Sequence, residues 1–133
     1  MIPSFDDFGC LPPGLHRATI AEVEARFGRQ SELRLVQMES VRWMVDLAVR
    51  AGVRRIVLNG SFVTAIIEPN EVDYLLLIGR GFPADPIAEA ELNAGLPFLD
   101  LALAGQADFD EFVGEVFAAD RSGTPKGIIE IIP

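Results

Sequence analysis

The sequence predicts an α+β domain built around a mixed β-sheet of about four strands and flanked by helices. Two observations indicate this class. Apolar residues recur at helical spacing up to Gly52, and after it short apolar runs of strand length alternate with helix-like segments. The 133 residues suffice for one hydrophobic core and are too few for two. Residues 1–15 are therefore expected to form an extended N-terminal arm, and residues 16–133 a single domain.

The arm contains prolines and glycines and has no apolar periodicity. We expect it to lie on the core through Phe5, Phe8 and Leu11, or to be partly disordered. It has acidic residues and prolines but no basic segment followed by an apolar one, so it does not have the pattern of a signal peptide.

Two helices are predicted before the first strand. Thr19 and Glu22 have the spacing of a capping box, which predicts a helix over about residues 20–27. Ser31 is placed to cap a second helix over residues 32–51, in which apolar residues recur at helical spacing. A glycine follows each predicted helix and is expected to end it.

The rest of the chain alternates between strand-like and helix-like segments. Strands are predicted for residues 54–59, 72–78, 98–104 and 127–132. Helices are predicted for residues 86–93 and 108–119, one helical turn for residues 62–65, and a turn for residues 120–126. The run at 72–78 is almost continuously apolar, which is typical of a strand buried on both faces.

Composition and charge exclude several classes of protein. The chain has 11 Lys and Arg against 20 Asp and Glu, a net charge of −9, so binding to duplex DNA through phosphates is not expected. The single cysteine, Cys10, excludes an intramolecular disulfide and a cysteine-based zinc site. The apolar stretch at 74–78 is too short to cross a bilayer. These features predict a cytoplasmic protein that does not enter a membrane.

Acidic residues interrupt two of the predicted strands. Glu71 and Asp73 stand at the start of the strand over 72–78 and, being two residues apart, point to the same side. Asp100 interrupts the apolar run at 98–104, where a buried carboxylate without a partner would be costly. If these strands are neighbours, the three carboxylates meet on one side of the sheet. The alternative is an ordinary solvated acidic surface.

Such a cluster suits Mg²⁺, which prefers oxygen ligands and accepts phosphate oxygens as further ligands. Two such ions can align an attacking hydroxyl and a leaving pyrophosphate. Gly60 and Ser61 lie between a predicted strand and a helical turn, where a glycine allows the backbone to approach a phosphate closely. The pattern therefore predicts a site for Mg²⁺ and phosphate, with an ordinary strand-to-helix turn as the alternative for the Gly-Ser pair.

These motifs resemble the nucleotidyltransferase fold of the DNA polymerase beta superfamily, with Gly-Ser after a strand, an acid-x-acid pair, and a third acid in a later strand. Residues 59–64, 68–73 and 120–128 more closely resemble a small bacterial family of nucleotidyltransferase-like proteins, and residues 5–15 resemble the start of that family. The resemblance covers nearly the whole chain. One departure is Glu71, which stands where the family usually has Asp.

The resemblance implies that Gly60 and Ser61 contact the triphosphate of a bound NTP, with Lys126 as a further candidate. No Lys or Arg occurs between residues 62 and 79, so the charge of the triphosphate needs cations from elsewhere in the chain. The candidates besides Lys126 are Arg54, Arg55, Arg80 and Arg121.

The resemblance also implies that Glu71 and Asp73 bind Mg²⁺, and that Asp100 completes the metal site and helps to deprotonate the acceptor hydroxyl. The implied reaction transfers a nucleoside monophosphate from an NTP to a protein or RNA acceptor, such as a tRNA, and releases pyrophosphate. Larger nucleotidyltransferases hold the acceptor with an extra helical domain. In a chain of this length, a partner subunit or a homo-oligomer would take that role.

Two other functions stay open. The first is a catalytically degraded nucleotidyltransferase-fold protein that acts by binding, for example as the antitoxin-like partner of a toxin–antitoxin pair. Its acidic surface would suit a basic partner, because complementary charge speeds encounter. The second is a structural or oligomeric module whose carboxylates bind nothing.

Overall fold

The computed structural model describes residues 2–95, 98–116 and 126–133. In chain order, its elements are β1 (Gly14–Thr19), α1 (Ile20–Phe27), α2 (Glu32–Ala51), β2 (Arg55–Asn59), β3 (Val72–Leu77), α3 (Pro86–Asn93), β4 (Leu99–Ala104), α4 (Gln106–Glu111) and β5 (Gly127–Ile132). A 3₁₀ turn, Ser61–Val63, follows β2, and a π-helical segment, Phe112–Val116, follows α4. This is an α+β fold, as the sequence predicts.

The five strands form one mixed sheet in the order β1-β5-β2-β3-β4. The two outer pairs, β1 with β5 and β3 with β4, are parallel, and β2 is antiparallel to both of its neighbours. Asn59 at the end of β2 is opposite Asp73 near the start of β3, and Asp73 is opposite Asp100 near the start of β4. The end of β2 and the starts of β3 and β4 therefore share one edge of the sheet.

The strand β1 is absent from the sequence-based prediction, which expected an arm over residues 1–15 and about four strands. Its residues are mostly polar or half-exposed, and only Ala18 is buried, so the segment lacks the apolar alternation that marks a strand. What makes it a strand is its partner, because every residue of β1 pairs with the strongly apolar β5. The sheet thus begins at Gly14, two residues before the expected start of the domain.

The helix boundaries before the first site residue follow the local signals. The Thr19 side chain accepts a hydrogen bond from the Glu22 amide at 3.2 Å, and the Glu22 carboxylate accepts one from the Thr19 amide at 3.1 Å, which completes the predicted capping box. Gly52 ends α2 in the left-handed conformation, with φ of 88°. Both helices begin and end where the sequence predicts.

Other boundaries differ from the prediction by a few residues. The helix expected at 108–119 begins at Gln106, is α-helical only to Glu111, and continues as the π-helical segment. The helical turn expected at 62–65 is the 3₁₀ turn Ser61–Val63. Residues 117–119 of that helix and most of the turn expected at 120–126 lie outside the described residues.

Both faces of the sheet carry apolar side chains. On one face, α1, α2 and α3 contribute to a large core, and on the other α4 covers a smaller one formed by Val57, Leu75, Leu77, Ala104, Phe109 and Ile128. The strand β3 contributes to both cores, with Tyr74 and Leu76 in the large one and Leu75 and Leu77 in the small one. The prediction of a strand buried on both faces is therefore confirmed.

The N-terminal arm packs only in part as expected. Leu11 is buried in the large core, and the ring of Phe5 lies 6.0 Å from that of Phe27, measured between centroids. The prediction for Phe8 is wrong, because its side chain is 92% exposed. Within the described residues, no helix is both long and apolar enough to cross a membrane.

Candidate functional site

The three acidic residues singled out in the sequence lie together at the shared edge of the sheet. Asp73 and Asp100 are opposite each other on the parallel strands β3 and β4, which puts both side chains on the same face. Glu71 precedes Asp73 by two residues and projects to the same side. One carboxylate oxygen from each residue lies within 4.8 Å of the others. Glu71 and Asp100 are exposed, and Asp73 is half-buried.

Gly60 lies directly beside this cluster and has a backbone conformation that favours glycine, with φ of 81° and ψ of −167°. A Cβ atom built at residue 60 would overlap the Oδ2 atom of Asp73. The glycine is thus required twice, once by its backbone angles and once by the position of the carboxylate. The close approach of the backbone to Asp73 explains why this turn has glycine at residue 60.

A pocket of about 540 Å³ opens at this edge of the sheet. Its walls include four of the residues predicted from the sequence, Gly60, Ser61, Glu71 and Asp73. Lys126, one residue before β5, also lines the pocket, so the structure brings this predicted residue to the same place. We call this space the acidic pocket.

Asp100 does not line the acidic pocket, although its carboxylate lies within the cluster. Its charge also acts on Tyr74, whose pKa is raised to about 12, mainly by burial of the phenol and in addition by the nearby Asp100 carboxylate. Tyr74 therefore stays neutral at physiological pH.

The cations considered for phosphate binding are not all near the acidic pocket. Arg55 is opposite Leu77, at the end of β2 and β3 that lies away from Asn59 and Asp73. Its guanidinium binds the Glu130 carboxylate, with its Nε atom 3.0 Å from Oε2. Arg54 and Arg80 flank the same far end, and Arg121 lies outside the described residues. Among the described lining residues, Lys126 is the cation of the acidic pocket.

Sequence reasoning missed Arg34, a helix residue of α2 that is 2% exposed and supports one wall of the acidic pocket. Its guanidinium donates hydrogen bonds to the carbonyls of Phe27 at 2.9 Å, Phe62 at 2.7 Å and Thr64 at 2.8 Å. Its Nε–H donates to the carbonyl of Ile66 at 3.0 Å. Within the described part of the chain Arg34 forms no ion pair, so its charge is balanced by carbonyl dipoles, and burial lowers its pKa.

Two residues near Arg34, the N-cap Ser31 and the α2 residue Gln37, bind the same loop. The Ser31 hydroxyl donates to the carbonyl of Ile67 at 2.9 Å, and the Gln37 amide donates to that of Pro69 at 2.7 Å. Residues 31, 34 and 37 are three apart, so they form one stripe along the helix. This polar stripe fixes the backbone between β2 and β3. The sequence carries no clear signal for this stripe, because α2 has other polar residues, such as Glu39, Arg42 and Asp46, that do not belong to it.

Asn59 is a second residue to which the sequence analysis gave no role. It is 6% exposed, lines the acidic pocket and is opposite Asp73 in the sheet. Its Oδ1 atom is buried and has no hydrogen-bond partner among the described residues. A buried amide oxygen without a partner is costly, and it is usually explained by a bound water, ion or ligand.

A family model covers residues 3–132 of the chain. The chain belongs to DUF6932, described as a family of unknown function. Comparison with curated proteins gave no match, and neither did comparison with solved structures. In this DUF6932 chain, the feature that bears most directly on function is the geometry of the acidic pocket.

The carboxylate cluster fits a hard divalent cation. Oxygens bound to one Mg²⁺ lie about 3–4 Å apart, because each is about 2.1 Å from the ion. The three carboxylate oxygens, within 4.8 Å of one another, come close to that spacing. Glu71 and Asp100 are exposed, so their side chains have room to turn toward a shared ion. Glu71, Asp73 and Asp100 are thus the residues that could hold a metal.

Proposed function

We propose that this protein binds an NTP with Mg²⁺ and transfers the nucleoside monophosphate to an acceptor hydroxyl, releasing pyrophosphate. The observation that carries the proposal is the position of three carboxylates, from β3, the residue before it and β4, beside a glycine turn whose residues Gly60 and Ser61 line the same pocket. The resemblance to nucleotidyltransferase-like proteins, seen in the sequence motifs, leads to the same reaction.

In this proposal Glu71 and Asp73 hold Mg²⁺, which would offset the negative charge of the triphosphate. Asp100 is exposed at the cluster and accepts the proton of the acceptor hydroxyl. The acceptor oxygen then forms a bond to the α-phosphorus, the bond from the α-phosphorus to the bridging oxygen breaks, and pyrophosphate leaves. Ser61 and Lys126 line the pocket where they can bind phosphate oxygens.

The acceptor is proposed to be a protein or an RNA hydroxyl, because neither the lining of the acidic pocket nor the sequence selects between them. We propose that a partner subunit or a second copy of the chain presents the acceptor. NTPs and Mg²⁺ are both available in the cytoplasm, where we propose that the protein works.

The experiment incubates the protein with α-³²P-labelled ATP, CTP, GTP and UTP, Mg²⁺ and a cell lysate, and looks for a labelled macromolecule. Wild-type protein is expected to give a labelled band that disappears with EDTA and in Asp73→Asn and Asp100→Asn. Asp46→Asn is the matched control, because Asp46 is an exposed helix residue paired with Arg50. Equal labelling in Asp73→Asn would contradict the proposal.

The acidic charge favours a second candidate function, binding of a basic protein partner by a catalytically inactive relative. In that case the protein would act like the antitoxin of a toxin–antitoxin pair. Net charge of −9 supports attraction to a basic partner. Stoichiometric co-purification with the product of a neighbouring gene, together with no NTP binding at millimolar Mg²⁺, would favour this function over transfer.

A further inference from the structure

Phe8 is an exposed aromatic residue on a turn that is held by several hydrogen bonds. Its side chain is 92% exposed, yet the backbone around it is fixed by hydrogen bonds. The Asp6 carboxylate accepts from the amide of Phe8 at 2.8 Å and from that of Cys10 at 3.0 Å, and the Asp6 amide donates to the Cys10 carbonyl at 2.7 Å. An Asp that bonds amides two and four residues ahead defines a specific turn. Phe8 is therefore held at the tip of a fixed turn.

The same turn is attached to the loop that forms one wall of the acidic pocket. The Ala65 amide donates to the Gly9 carbonyl at 2.9 Å. Gly9 has φ of 76°, and a Cβ atom built there would lie 3.0 Å from the Cβ of Ala65. The polar stripe of α2 in turn binds the carbonyls on either side of Ala65, those of Thr64 and Ile66. The position of Phe8 is thus coupled to that of the acidic pocket.

A second recess of about 280 Å³ lies between the turn and the loop, and we call it the apolar recess. Its lining has no charged side chain and consists of Phe8, Gly9, Cys10, Thr64, Ala65 and Ile66. Cys10, Thr64 and Ile66 also line the acidic pocket, so the two spaces adjoin. Together they form a site with one acidic, polar half and one uncharged, largely apolar half.

We infer that the apolar recess holds the base of the nucleotide, stacked on the ring of Phe8; this inference rests on the proposed function. An NTP has the same two halves, a charged triphosphate and a flat base with apolar faces. Aromatic side chains commonly bind bases by stacking. A bound base would cover an aromatic ring that otherwise stays in water.

The lining of the apolar recess also indicates little discrimination among bases. The Thr64 hydroxyl already donates to the Ser61 carbonyl at 2.6 Å and accepts from the Ile66 amide at 3.2 Å. The other side chains there are apolar or, in Cys10, a weakly polar thiol. Stacking without hydrogen-bonded readout tolerates every base and favours the larger purines.

The test compares two ligands that share phosphates but differ in the base. Binding of ATP and of inorganic tripolyphosphate, each with Mg²⁺, is measured by calorimetry for wild type, Phe8→Ala and Trp43→Ala. Phe8→Ala is expected to weaken ATP binding about fivefold or more, and to change tripolyphosphate binding less than about twofold. Trp43 is the matched control, an aromatic residue of α2 that is 49% exposed and absent from both pockets.

The other outcomes would contradict either the position of the base or the proposed function. Equal losses for both ligands in Phe8→Ala, or unchanged ATP binding, would overturn the assignment of the base to the apolar recess while leaving the proposed function intact. A wild-type dimer that Phe8→Ala dissociates would make Phe8 a contact between copies instead. If wild type binds neither ligand with Mg²⁺, the proposed function fails, and the base site fails with it.

Discussion

The carboxylate of Asp73 occupies the space that a side chain at Gly60 would need. Gly60 lies just beyond the end of β2, and Asp73 lies near the start of β3. Their closeness makes the glycine turn and the acidic cluster a single structural unit. A substitution at either residue is therefore expected to change the position of the other.

Gly60→Ala is expected to lower the free energy of unfolding by about 1–3 kcal/mol, because alanine is strained at this positive φ. It should also displace Asp73 and weaken Mg²⁺ binding. Urea denaturation measures the first effect and a Mg²⁺ titration the second. Gly81→Ala is the control, since Gly81 has φ of 83° with nothing within 4 Å of a built Cβ. If both variants bind Mg²⁺ equally well, the coupling to Asp73 is absent.

Mg²⁺ is expected to stabilise the protein through the three clustered carboxylates. At ten times its Kd, a bound ligand adds about 1.4 kcal/mol to the free energy of unfolding. Thermal melts with Mg²⁺ and with EDTA should show this shift in wild type and Asp46→Asn. In Asp100→Asn the shift should shrink, and the melting temperature in EDTA should rise because repulsion within the cluster is relieved. A Mg²⁺ shift that survives Asp100→Asn would exclude Asp100 as a ligand.

Arg34→Met is expected to lower the free energy of unfolding by about 3 kcal/mol or more. The substitution removes the donors to the carbonyls of Phe27, Phe62 and Thr64, and each buried carbonyl left unsatisfied is costly. Chemical denaturation measures the loss. Arg50→Met is the matched control, because its exposed pair with Asp46 at 3.2 Å is worth less than about 1 kcal/mol. Similar losses in both variants would contradict the role of Arg34.

Tyr74 is expected to make stability fall at alkaline pH. Its pKa is 10.0 in an unfolded chain and about 12 in the folded protein, so the fold favours the neutral phenol. The resulting stabilisation is complete below pH 10 and is lost as the pH rises from 10 to 12. Tyr74 is the only tyrosine, so ultraviolet absorbance of the phenolate reports its titration directly. In Tyr74→Phe this part of the pH dependence should vanish; an unchanged profile would assign it to other groups.

The fold class and most elements could be predicted because their signals are local. The capping box of Thr19 and the glycine at residue 52 mark helix ends within a few residues of sequence. The alternation of strand side chains likewise places Glu71 and Asp73 on one side. Asp100 joins them only if its strand lies beside theirs, and the sequence does not show which strands are neighbours. The parallel pairing of β3 with β4 meets this condition.

The missed features depend on contacts between distant segments. β1 becomes a strand because β5, more than a hundred residues later in the chain, pairs with it. In the sequence, Arg34 looks like an ordinary polar helix residue. The carbonyls that it binds are 27 to 32 residues later in the chain, except that of Phe27, so its role depends on how the loop after β2 packs against the helix. Phe8 is a large apolar residue of the kind that usually packs in a core, but the turn that Asp6 fixes leaves its side chain in solvent.

The parallel pairing of β1 with β5 has a consequence for synthesis of the protein. Cys10 and Lys126, near opposite ends of the chain, line the same acidic pocket. A nascent polypeptide that has just emerged from the ribosome through β4 already carries the glycine and all three acids, but its last strand has yet to dock. The acidic pocket is thus complete only once β5 has been synthesised and has paired with β1 and β2, because Lys126 directly precedes that strand.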